Sequence, residues 1–86
     1  MRITVVESSA ERVRLRVEGR VTGLWVDELR RACELQALEE RIQLTLDLAD
    51  LSFADAEGIE LLRELRTGGV ILFRPAPWVA QQLTSL

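Results

Sequence analysis

The chain contains no histidine and no tyrosine, and lysine and asparagine are absent as well; all 11 basic residues are arginine. Without imidazole there is no base that titrates near neutral pH and no histidine metal ligand. Without lysine there is neither a Schiff-base amine nor a P-loop ammonium. Cys33 is the only cysteine, which excludes an intramolecular disulfide and a thiolate zinc cluster. A lone thiol fits a reducing compartment. Aromatic residues make up only 5% of the chain, so its core has to be mostly aliphatic. No stretch approaches the roughly 18 consecutive apolar residues of a membrane span. Met1-Arg2-Ile3-Thr4-Val5-Val6 runs directly into alternating polar and apolar residues, unlike a signal peptide. The expectation is a soluble cytoplasmic chain with no membrane span. A net charge of −3 offers no basic excess to neutralise phosphates, so nucleic acid is not an expected partner.

What is present suits one small globular domain over residues 1–86, with 48% hydrophobic content. A chain this short buries a modest fraction of its surface and should be modestly stable. Ile3 to Glu7 reads as a strand, and Ser8-Ser9-Ala10-Glu11 as a hairpin connection. In the next strand Val13, Leu15 and Val17 point one way, while Arg12, Arg14, Arg16 and Glu18 point the other. Gly19 and Gly23 bracket a loop. A helix then runs from about Leu24 to Leu38, with Trp25, Leu29, Ala32, Cys33 and Gln36 on its apolar face. Ile42 to Leu48 alternates again, with Ile42, Leu44, Leu46 and Leu48 on one side and Gln43, Thr45 and Asp47 on the other. A central strand that is polar on one face implies helices on the opposite face only.

The second helix is expected over Asp55 to Thr67. Gly58, Leu61, Leu62 and Leu65 share one arc, and Glu57, Glu60, Arg63 and Glu64 fill the other. Gly58 lies on the buried arc, where a missing side chain lets helix and sheet approach closely. Gly68-Gly69 ends this helix. Val70 to Phe73 is a short strand, and Pro77 opens a last helix, Trp78 to Leu86, that carries Val79, Leu83 and Leu86 on one face. The order is β-β-α-β-α-β-α. It defines an α/β fold with a single four-stranded mixed sheet, an antiparallel hairpin and two parallel crossovers.

The richest segment is Leu46-Asp47-Leu48, then Leu51-Ser52-Phe53, then Asp55-Ala56-Glu57-Gly58 and Ile59-Glu60-Leu61-Leu62. It resembles a STAS domain, the sulphate-transporter and anti-sigma-factor-antagonist family. Members show an apolar strand ending in Asp-Leu, a short spacer, an apolar residue, and Asp-Ser-Ser-Gly at the start of a helix. Val17-Glu18-Gly19-Arg20-Val21, followed by a helix with Asp27-Glu28-Leu29-Arg30, is similar to the family's first half. The resemblance implies a protein-binding surface formed by Ser52, Phe53, Asp55, Ala56, Glu57 and Arg63. It also implies that position 56 is where phosphorylated members carry the Ser or Thr. Ala56 has no hydroxyl, so that switch cannot operate there. Glu57 puts a fixed negative charge one residue further on, in the first turn of the helix.

Each residue also has a plainer reading. Asp55 suits a helix N-cap better than a catalytic acid. Asp47, Asp50, Asp55 and Glu57 could offer oxygens to Mg²⁺, but no phosphate-binding glycines or base accompany them, and ordinary loop acids are the expectation. Arg12, Arg14 and Arg16 read as a solvated strand face. Cys33 reads as a small core residue. Trp25 and Trp78 read as core or half-buried; an exposed one would be the better interface anchor. Ser52 shapes the turn and is the hydroxyl nearest position 56.

These features point to a non-catalytic binding module that needs no cofactor. The resemblance implies two partner classes, an ATPase-like anti-sigma kinase or an ABC-transporter ATPase subunit of a lipid-transport complex, besides assembly with copies of itself. The competing reading is a small carboxylate-dependent hydrolase. It would require a buried carboxyl with a raised pKa.

Overall fold

A computed structural model of the protein describes residues 1–36 and 42–84. The elements are β1 (Arg2–Ser8), β2 (Arg12–Val21), α1 (Leu24–Gln36), β3 (Gln43–Asp47), β4 (Leu51–Ala54), α2 (Ala56–Thr67), β5 (Ile71–Phe73) and α3 (Pro77–Thr84). Leu38 and Leu86, expected near helix ends, lie outside the described residues.

The sheet follows from the alternation in β2 and β3. β1 pairs antiparallel with β2, β2 pairs parallel with β3, and β3 pairs parallel with β5. The register sets Ile3 beside Val17, Val13 beside Leu44, Leu15 beside Leu46 and Leu46 beside Leu72. All these side chains therefore fall on one face, where Val26, Leu29 and Cys33 of α1, Ile59, Leu61 and Leu62 of α2, and Val79 and Leu83 of α3 complete the core. Each fully buried leucine or valine there stabilises the fold by about 1.5–3 kcal/mol relative to exposure. Among the described residues the other sheet face carries no helix, as the polar side of Gln43, Thr45 and Asp47 implied.

Two expectations need correction. The sheet has five strands, not four, because Leu51–Ala54 pairs parallel with the end of β2. β4 shows no alternation: Leu51 and Ala54 are buried while Ser52 and Phe53 are exposed. The register shifts between Gly19 and Arg20, and this irregularity erases the period of two by which a strand is recognised. In α1, Val26 is buried while Trp25 is 46% exposed, so the buried arc is rotated from the one expected. The helix contacts both β2 and α2, and Arg30 reaches Glu64 of α2 at 2.8 Å, which turns that flank inward.

Candidate functional site

Parallel strands leave the sheet at one end and feed helices that begin there: β2 leads to α1, β4 to α2 and β5 to α3. Ligands of open α/β sheets bind at such an end. At its centre stands Asp55, extended at φ −79° and ψ −177°, the N-cap of α2. The Gly58 N–H donates to its Oδ1 at 2.8 Å, and the Gly23 N–H donates to its Oδ2 at 3.2 Å. One carboxylate thus satisfies an orphan donor of α2 and ties down the loop that starts α1. Its oxygens are committed to backbone, which makes Asp55 the frame of the turn.

Gly58 seats the turn against the sheet. A Cβ at this position would lie 2.5 Å from the carbonyl oxygen of Val21 and 3.2 Å from the Cβ of Ala54. The Asp55 N–H donates to that same Val21 oxygen at 3.3 Å. Ala56 and Glu57 are exposed on the first turn of α2, and Ser52 is exposed on β4. Phe53 is 43% exposed. Its ring stacks with Trp78 at 6.3 Å between centroids and lies under the Arg20 guanidinium at 5.1 Å. Ser52, Phe53, Asp55, Ala56 and Glu57 therefore converge on one end of the molecule.

Arg63 stands further along α2 and faces a neighbour. Its guanidinium donates to the Gln82 carbonyl of α3 and lies 3.7 Å from Glu60. It links α2 to α3 rather than crowning the turn. Trp25 and Leu24, beside the Gly23 loop, are exposed and border the turn from α1. Trp78 is half-buried. The Asp55–Gly23 link joins residues 32 apart, so no local pattern announced it.

The acids do not share a role. Asp47 is buried on the helix-free face, 2% exposed, and accepts hydrogen bonds from Arg74 at 2.7 Å and from the Ala49 N–H at 3.1 Å. Arg16 lies 3.9 Å from Asp47 and 4.0 Å from Asp50. Burial pushes the Asp47 carboxyl up, but the Arg74 and Ala49 hydrogen bonds and the two arginine charges outweigh it and hold the group below the usual value. This is the opposite of what a general acid requires. Arg14 lies 4.9 Å over the Phe73 ring, so the arginine row is partly engaged within the fold.

No family model matches the chain, and no curated protein matches it. Among solved structures it is similar to the anti-sigma factor antagonist SpoIIAA in its unphosphorylated form, with a TM-score of 0.69. This is the STAS fold. The match covers 93% of this chain and 79% of the other at 23% identity, so the likeness is one of fold. No helix among the described residues is long and apolar enough to cross a membrane.

Proposed function

We infer that the chain is a non-catalytic regulatory module that binds a protein partner through residues 52–57 and the outward side of α2. The observation that carries this reading is the contrast within the turn. Asp55 and Gly58 are locked into the fold, while Ala56 and Glu57 between them are exposed. A small exposed residue on a fixed frame lets a partner backbone approach closely. Phe53 and its stack with Trp78 add an aromatic ledge beside it, the kind of residue that anchors interfaces. Arg63 stiffens the α2–α3 side of this surface.

The partner is an ATPase-like protein of the anti-sigma type. Binding proceeds without phosphorylation control at position 56, because alanine cannot accept a phosphoryl group. The missing hydroxyl also suits a second reading, an accessory subunit on an ABC-transporter ATPase, where no phosphorylation cycle is required. Affinity purification from the native cell, followed by mass spectrometry, tests both readings. Wild type should capture one ATPase, and Ala56→Arg should lose it while keeping the fold. The identity of that ATPase decides between the two readings. Capture of the same partners by both proteins would refute the turn as the interface.

A further inference from the structure

α1 carries a second surface that the turn does not use. Val26, Leu29 and Cys33 point into the core. At 100° per residue, Leu24, Glu28, Arg31 and Leu35 lie on the opposite side of the helix. All four are exposed, and the two leucines are 83% and 63% exposed. Their spacing of four, three and four is that of a coiled-coil seam. Among the described residues, this seam of leucine at both ends and opposite charges between has no partner beyond its own Glu28–Arg31 pair at 3.1 Å.

The order of the four residues is self-complementary. Turn one copy of α1 end over end about a two-fold axis between Leu29 and Arg30. Leu24 then faces the partner's Leu35, and Glu28 faces the partner's Arg31. Both contacts occur twice, as two-fold symmetry requires. Parallel alignment would instead set Glu28 on Glu28 and Arg31 on Arg31. The flanks bear on the fit as well. Trp25, 46% exposed, would meet the partner's Ala32, a large residue against a small one. Thr22, Leu24, Trp25 and Glu28 line a shallow hollow of about 440 Å³, where the partner's Leu35 would settle. On the other flank Asp27 approaches the partner's Glu34, two exposed like charges that weaken the contact slightly.

We propose that this face of α1 pairs antiparallel with α1 of a second copy, making a weak homodimer. One helix face per subunit is smaller than the roughly 800 Å² per partner of a standard interface, so dissociation on the order of 100 µM is expected. Sedimentation equilibrium of the full chain from about 10 µM to about 1 mM measures it. Glu28→Arg and Arg31→Glu should each weaken association roughly tenfold, because each sets like charges face to face twice. The double variant, with the charges exchanged, should recover wild-type association, and Leu35→Ser should be monomeric. These positions are exposed, and circular dichroism will confirm that each variant is folded. A wild type that stays monomeric throughout, or a double variant no better than the singles, overturns the proposal. Oxidative cross-linking checks the orientation. A mixture of Leu24→Cys protein with Leu35→Cys protein keeps one leucine contact and should give covalent mixed dimers, whereas efficient dimers from Leu35→Cys alone would overturn the antiparallel pairing.

Discussion

Arg74 Nη2 donates to Asp47 Oδ2 at 2.7 Å, joining the end of β5 to the end of β3 on the helix-free face. Arg74 holds a left-handed backbone conformation, φ +52°, just before Pro75. The ion pair therefore fixes both a buried carboxylate and an uncommon backbone shape. The folded pKa of Asp47 lies below its unfolded value of about 3.9. Its contribution is thus complete above about pH 4 and is lost as pH falls through the folded pKa. Urea titrations at several pH values should show stability declining on that acid limb. Asp47→Asn should flatten the decline and lower stability at neutral pH by about 1–2 kcal/mol.

Gly58→Ala tests the close approach of α2 to β2. Alanine favours helix over glycine by about 1 kcal/mol, so propensity alone predicts stabilisation. The new Cβ would lie 2.5 Å from the Val21 carbonyl oxygen, a backbone atom that cannot swing aside. The clash should win, with a net loss of about 1–3 kcal/mol. Equilibrium denaturation should show a lower midpoint at unchanged slope.

Local signals were legible in the sequence. The period of two in Val13, Leu15 and Val17, and in Leu44 and Leu46, foretold both sheet faces, because each alternation faces one core. Gly58 and Asp55 could be placed from the helical arc and the cap position. What stayed hidden depends on distance or irregularity. Asp47 falls on the polar side of its strand, yet it is buried because Arg74, 27 residues on, folds over it. β4 lacks alternation because a register shift breaks it. Trp25 falls on the apolar arc of a helical wheel, which carries no sign that α1 leans on α2 through Arg30 and Glu64.

Asp55 does two jobs with two oxygens, and the substitutions Asp55→Asn and Asp55→Ala separate them. Asparagine keeps one acceptor for the Gly58 N–H, but its NH₂ cannot accept from Gly23. Alanine loses both bonds. Asp55→Asn should cost under about 1 kcal/mol and Asp55→Ala about 1–2 kcal/mol. Hydrogen exchange should add a distinction. The Gly23 amide should lose protection in both variants, whereas the Gly58 amide should lose it only in Asp55→Ala.

Cys33 supplies a probe for how the core opens. Its thiol is buried, and burial, helped by the neighbouring Glu34 charge, pushes its pKa up to about 12. The thiolate is the reactive species, so at pH 8 the folded protein should barely react with a disulfide reagent. Unfolding restores a pKa near 8.5 and access together. Because Cys33 is the only cysteine, labelling should follow a single exponential whose rate tracks opening of α1 from the sheet. Gly58→Ala, which loosens the sheet's contact with α2, should speed this labelling if the two helices open as one unit. An unchanged rate in that variant, despite lower global stability, would mean that α1 opens on its own. Labelling of the native wild type as fast as a free thiol would contradict the burial of Cys33.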